Sequence, residues 1–235
     1  MRACWAAVLT IGCGAPEVDI GGRVLAERGS ASGLAGASID LRDGEFGSYA
    51  TAVADDEGWF AVQAPRLRKI HLLITSPDTV PIVFPGTSGQ SDFIVPEGQL
   101  WGFSEAQRDA WRTDFSGCPA GEGGGDVLGV VRLLNPSADP LVDADNPVEI
   151  NGFAFIEDEA GVRRDACYLG ADGAWDPDAT VVGESGRFFL PGVGRGPLRL
   201  VFGRRLTDDS TMITEEEVFV PDDGVVAVIP ALVTL

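Results

Sequence analysis

The chain contains a single histidine, His71, a single lysine, Lys69, and only two tyrosines in 235 residues. One imidazole nearly excludes His-rich zinc sites and mixed His–Cys zinc clusters, and a hydrolytic triad would have to be built on His71 alone. His71 sits in the strand-like run Lys69-Ile70-His71-Leu72-Leu73-Ile74 and reads as a structural or surface residue. No serine stands in a Gly-x-Ser-x-Gly turn, and no Cys-x-x-Cys spacing supports a redox or metal site. Positive charge is scarce: 17 Lys and Arg stand against 36 Asp and Glu, for a net charge of -19. Nucleic acid is excluded as a partner, because binding it needs clustered cations on one face. Adsorption on an anionic membrane surface fails for the same reason. What remains for the acidity is a soluble, self-repelling surface, Ca²⁺ binding through oxygen ligands, or a basic partner.

What is present is strand. Hydrophobic residues make up 45% of the chain, with 31 glycines and 15 prolines punctuating it. Short β-branched or aromatic runs recur between turn residues, as in Val18-Asp19-Ile20, Trp59-Phe60-Ala61-Val62 and Phe153-Ala154-Phe155-Ile156. Several alternate in period two, the mark of half-buried antiparallel strands, and strands spaced this way suggest sandwiches. The pattern occurs twice. Gly22-Arg23-Val24, Ser38-Ile39-Asp40-Leu41, Asp55-Asp56-Glu57-Gly58-Trp59-Phe60 and Ile70–Ile74 lead to Phe93-Ile94-Val95-Pro96. Gly129-Val130-Val131, Phe153-Ala154-Phe155, Gly183-Glu184-Ser185-Gly186-Arg187-Phe188 and Leu198–Val201 lead to Val218-Phe219-Val220-Pro221. Repetition of this kind argues for two similar units in tandem. The expected fold is all-β: two tandem Greek-key β-sandwiches, Ig-like or transthyretin-like, over 18–97 and 126–235, joined across 98–125 by a short helix and a glycine-rich linker.

Within that linker, Ser104-Glu105-Ala106-Gln107 has the capping-box pattern. It starts a helix whose stripe is Phe103, Ala106, Ala110 and Trp111. Gly121 to Gly125 reads as a flexible hinge. No Lys-Ser/Thr follows these glycines, so they are not a phosphate loop. The second copy carries extra residues, Gly161–Cys167 and Ala171–Asp178. Loops on a rigid sandwich are where binding groups usually sit, so Asp172, Trp175, Asp176 and Asp178 form the candidate ligand loop. Trp101, Trp111 and Trp175 are candidates for a sugar-stacking platform, with Trp175 the best placed to be exposed. The acidic clusters Asp55-Asp56-Glu57, Asp143/Asp145, Asp172 with Asp176 and Asp178, and Asp222-Asp223 could take Ca²⁺, although none follows the full helix–loop–helix calcium pattern.

The N-terminus reads as an export signal over 1–12, with Arg2 as its positive end and Ala3–Ile11 as its apolar run, too short to span a bilayer. Leu9-Thr10-Ile11-Gly12-Cys13 resembles a bacterial lipobox, with Thr10 where leucine is usual. The resemblance implies cleavage before Cys13, a lipid on its sulfur and a short tether over 13–17. The alternatives are a plain secretory signal cut nearby or a buried first strand. Cys118 and Cys167 then remain as an even pair in an oxidising compartment, either a disulfide or two buried thiols.

The landmarks of the body resemble the carboxypeptidase regulatory-like family, also called transthyretin-like or prealbumin-like. Its Gly-x-Val strand, Leu-x-Gly-Ala-x-Val-x-Leu strand and Asp-x-x-Gly-x-Phe turn are met by Gly22, Val24, Leu34, Gly36, Ala37, Ile39, Leu41, Asp55, Gly58 and Phe60. The second copy lacks the Leu-Ala-Gly-Ala run and has Gly183 at the aspartate position. The resemblance implies a sandwich fold and little about activity. The expected function is that of a non-catalytic, envelope-anchored lipoprotein with a structural or adhesive role toward protein or glycan. A carbohydrate-binding module, an accessory protein of a secreted hydrolase and a small-ligand carrier of transthyretin type are the competing readings.

Overall fold

The computed structural model describes residues 17–133, 148–158, 160–206 and 210–233. Cys13 with its lipobox and the Asp143/Asp145 pair lie outside these residues. The first half of the chain forms β1 (Glu17–Leu25), β2 (Ser38–Arg42), β3 (Ser48–Val53), β4 (Trp59–Pro65), β5 (Lys69–Thr75), β6 (Ile82–Thr87), β7 (Phe93–Ile94) and β8 (Leu100–Trp101). After α1 (Glu105–Asp114), the second half forms β9 (Gly125–Leu133), β10 (Gly152–Glu157), β11 (Arg163–Asp165), β12 (Cys167–Tyr168), β13 (Arg187–Val193), β14 (Gly196–Arg205), β15 (Thr211–Val220) and β16 (Val225–Val233). The fold is all-β apart from α1 among the described residues.

Both halves are wound alike. In the first, β4-β1-β7 form one sheet, with β8 also on β1, and β3-β2-β5-β6 run together in the other. In the second, β13-β9-β16 and β11-β10-β14-β15 repeat those two orders, with β12 added beside β13. The repeated motif has a packing reason. Phe60 faces Gly22 across β4 and β1, and Phe188 faces Gly129 across β13 and β9. A Cβ on Gly22 would lie 3.0 Å from the Phe60 ring, and one on Gly129 would lie 2.3 Å from the Phe188 ring. The glycine therefore makes the floor on which the ring rests. The turn before each Phe needs a residue at positive φ, supplied by Gly58 (88°) and Gly186 (66°). Asp55 closes the first turn by accepting the N–H groups of Glu57 and Trp59, each at 2.9 Å. The terminal landmarks are not equivalent, however. Phe93-Ile94 forms β7, whereas Val218–Val220 ends the long strand β15, the counterpart of β6, and β16 takes the place of β7.

The two sandwiches share a sheet. The parallel pairs Val225↔Ile82 and Val226↔Val83 splice β16 onto β6. The result is one eight-stranded sheet, β12-β13-β9-β16-β6-β5-β2-β3. Alternation along its strands then divides the core in two. Ile39, Leu72, Ile82, Leu128, Phe189 and Val225 face one side and pack with Ile20, Val24 and Phe60 of the first small sheet. Val83, Val127, Val226 and Phe188 face the other and pack with Ile156, Leu200 and Phe202 of the second. The small sheets thus cover opposite faces of a common central layer.

Helix α1 extends the first of these cover layers over the second half. Its Ser104 capping box is complete: Ser104 Oγ accepts the Gln107 N–H, and the Gln107 side chain accepts the Ser104 N–H. Its inward face differs from the expected stripe, because Ala106 and Ala110 are exposed. Arg108 is the buried residue, followed by half-buried Trp111 and buried Phe115. Arg108 Nε donates to Asp126 Oδ2 at 2.8 Å, and Arg112 also reaches Asp126, whose side chain is fully buried. The glycine run is not a free hinge. Gly121 and Gly123 donate to the carbonyls of Pro191 and Gly192, and Gly124 accepts from Arg108. Hydrogen bonds hold this segment against β13, so its glycines serve close backbone approach.

Candidate functional site

The outer face of the second small sheet carries a cavity next to the candidate loop. On β10, Ala154 and Ile156 point into the core together with their cross-strand neighbours Phe202 and Leu200. Phe153 and Phe155 therefore face the other way. Their rings lie parallel, with centroids 6.3 Å apart. On that outer face Gly203 and Ile213 continue the row from Phe153, and the Phe153 ring rests over Gly203, where a Cβ would lie 3.0 Å from it. Asp165 of β11 stands opposite Phe155. Arg163 lays its guanidinium 3.8 Å from the Phe155 ring centroid and donates from Nε to Asp165 at 2.8 Å. A second wall comes from the loop 175–180, and the enclosed space is about 650 Å³. Aromatic rings make the floor; Asp165, Asp176, Thr180 and Arg205 make a polar rim.

Of the candidate loop residues, the structure brings Trp175 and Asp176 to this cavity, and Asp172 and Asp178 are not among its lining. Trp175 is half-buried, its backbone N–H donating to the Asp114 carbonyl at 3.1 Å and its ring lying over Gly117. The acidic side chains shape the loop: Asp172 accepts the Ala174 N–H at 3.1 Å, and Asp176 accepts the Asp178 N–H at 2.9 Å. These are local Asx turns. No group of three or more His, Cys, Asp or Glu among the described residues could hold a metal ion. The loop therefore offers no Ca²⁺ cluster there.

Cys118 and Cys167 form a disulfide, with Cα atoms 6.0 Å apart. Cys167 itself lines the cavity, and Cys118 lies next to Pro119, another lining residue. The bridge ties the chain after α1 to β12 beside the site. Tyr168 braces the same corner: its hydroxyl donates to the Ala154 carbonyl at 2.9 Å and accepts the Ala154 N–H at 2.8 Å. Burial pushes its pKa up to about 12, so the phenol stays neutral.

The three tryptophans do not form a common platform. Trp101 is buried edge-on against Phe84, with ring centroids 4.9 Å apart. Trp111 is stacked on Phe115, and Arg187 lies 3.9 Å from its centroid. Of the three, Trp175 alone lines the cavity. His71 is 1% exposed, with Nε2 2.8 Å from the Glu217 carbonyl oxygen, so it cannot reach a substrate. Arg163 belongs to the 161–167 insertion, whereas Phe153, Phe155 and Ile213 are not among the sequence-based candidates. For the two phenylalanines the signal is the Phe153-Ala154-Phe155-Ile156 run, apolar on both strand faces, which marks a strand covered on both sides.

No protein-family model matches the chain, and no curated protein matches it. Among solved structures, it aligns with the Bacillus anthracis TIE protein at 12% identity and a TM-score of 0.28, over 93% of this chain and 34% of that one. GBS52, the minor pilin of Streptococcus agalactiae, aligns at 10% identity and a TM-score of 0.30, over 92% and 95% of the two chains. The shaft pilin SpaA of Lactobacillus rhamnosus GG aligns at 10% identity and a TM-score of 0.25, over 93% and 96%. The chain spans about a third of the TIE protein.

Proposed function

We propose that this is an exported, non-catalytic binding protein of the cell envelope, held to a membrane by lipid on Cys13 and retaining a glycan in the cavity beside Trp175. The observation that carries the reading is the cavity's composition. The C–H face of a pyranose suits the apolar surface of Phe153 and Trp175, beside the Phe155 ring that Arg163 covers, and its hydroxyls suit Asp165, Asp176 and Thr180. The disulfide supports an oxidising compartment, where such bridges persist. The two sequence repeats, 18–97 and 126–235, are read as scaffold units, with the binding role in the second.

Two measurements test this. Glycan-array retention is expected to drop at least about tenfold, or about 1.4 kcal/mol, in both Trp175→Ala and Ile213→Glu. Ile213 is exposed at the rim, so its replacement leaves the core intact. Retention by neither the parent nor any variant, or equal retention by all three, removes the glycan. Intact mass of the membrane-fraction protein is expected to show a lipid adduct on an N-terminal Cys13, and an unmodified chain removes the anchor.

A further inference from the structure

A second surface lies on the first sandwich, on the side where both of its sheets end. β3 is the last strand of the eight-stranded sheet, and β4 is the last strand of the first small sheet. Neither Ser48–Val53 nor Trp59–Pro65 contains a charged residue, in a chain that is 23% charged. Edge strands are usually guarded by charge or proline, and here only Pro65, at the end of β4, stands guard. Four of the eight exposed large apolar side chains, Tyr49, Val53, Trp59 and Leu67, lie on these strands or on the turn after β4.

The hydrogen-bonding register shows what β3 offers. Ala54 donates to the Ala37 carbonyl and accepts from Gly36, so its backbone groups point toward β2. Counting back in twos along the ladder Ile39↔Ala52 and Leu41↔Ala50, the even positions are turned to β2. The N–H and C=O groups of Thr51 and Val53 therefore point outward. The register shift at Tyr49 confines this regular edge to Ala50–Val53.

We infer that β3 is a docking edge for an extended segment of another protein, one with small or β-branched residues at its centre and Lys or Arg at its ends. Acidic groups flank the edge in sequence, Asp43 and Glu45 before it, where Arg68 and Lys69 share the surface, and Asp55, Asp56 and Glu57 after it, where the acidity is densest. They favour cationic ends on the added strand and, with the net charge of -19, oppose pairing with a second copy of the chain. Backbone bonds to Thr51 and Val53 supply the attachment, as in strand addition generally.

The test uses the full chain and two synthetic peptides with the same Thr-Val-Thr-Val centre, one ending in lysines and one in glutamates. Hydrogen exchange read by NMR is expected to slow at the Thr51 and Val53 amides when the lysine peptide is added, and to stay unchanged at Ala50 and Ala52, which are already bonded. The glutamate peptide is expected to bind at least about tenfold more weakly. Thr51→Pro removes one outward N–H without touching the β2 ladder and is expected to abolish binding, with the glycan retention of the second sandwich unchanged. Protection absent at Thr51 and Val53, equal binding of both peptides, or the same protection appearing in the protein alone as its concentration rises would overturn the inference. Val53→Lys offers a second variant should the proline substitution fail to fold, and unchanged binding of the lysine peptide to it would also overturn the inference.

Discussion

At the scale of single residues, the least sequence-like feature is Asp126. A carboxylate with no exposed side-chain surface would be costly alone. Here it accepts from Arg108, from Arg112 and from the Gly192 N–H at 3.0 Å. Arg108 in turn donates to the carbonyls of Asp223 and Gly124. One ion pair thus joins the helix, the glycine segment, β9 and the turn before β16. Removing one partner leaves the other charge buried, which typically costs about 3–5 kcal/mol. Asp126→Ala is therefore expected to lower the urea-derived stability by that amount. The double replacement Arg108→Met with Asp126→Leu is expected to regain part of the loss, because no charge is left buried alone, while the Gly192 N–H and the Gly124 and Asp223 carbonyls still lose their partners. A small loss in the single variant would show that Arg108 finds water instead.

At the scale of elements, much was legible. Alternation located the strands, and the Gly-x-Phe turns located the repeat, because both follow from backbone geometry that is local in sequence. Ser104 and Gln107 marked the helix start for the same reason. The helix's inward face was not legible, since the rule that buried faces are apolar fails where an arginine is paired to a distant aspartate. The glycine run gave the wrong reading too, because flexibility and close approach use the same residue. Cys118 and Cys167 left a bridge and two thiols equally open until the fold brought them together. The site's aromatic floor was hidden because alternation cannot tell which of two apolar faces will be the core.

His71 belongs to the same scale, since it joins β5 of one half to β15 of the other through the Glu217 carbonyl. Burial holds its pKa below the ordinary value, outweighing the carbonyls of Glu217 and Asp43 and the charge of Glu217, while Lys69 adds a small push downward. The native state therefore binds this proton less readily than the unfolded chain does. Stability from this group is full above about pH 6.5 and is lost as the pH falls from there toward the depressed native value. As the chain's only imidazole, His71 gives one resolved ring signal by NMR. That signal is expected to titrate below pH 6.5, and a midpoint at or above 6.5 would contradict the burial argument.

At the scale of the whole molecule, the shared sheet governs how the protein comes apart. Two sandwiches joined only by a linker would melt as separate units. Here one core cluster contains Ile39, Leu72 and Phe60 from the first half together with Leu128, Phe189 and Ala227 from the second. The other contains Val83 and, packed at its margin, Leu73 from the first half among residues of the second. The β16–β6 pairing runs through both clusters, so each half loses part of its core when the other is lost. Calorimetry of the intact chain is expected to show a single transition whose van't Hoff and calorimetric enthalpies agree. A fragment ending at residue 97 lacks β9, β16 and the helix, and it is expected to be unfolded by circular dichroism. Two resolved transitions, or a folded fragment, would mean that the splice at Val225 and Val226 adds little to either sandwich. The edge at β3 and the cavity on the second sheet would then sit on independently moving bodies. With a single transition, both surfaces ride on one rigid frame, and occupation of either one raises the melting temperature of the whole chain.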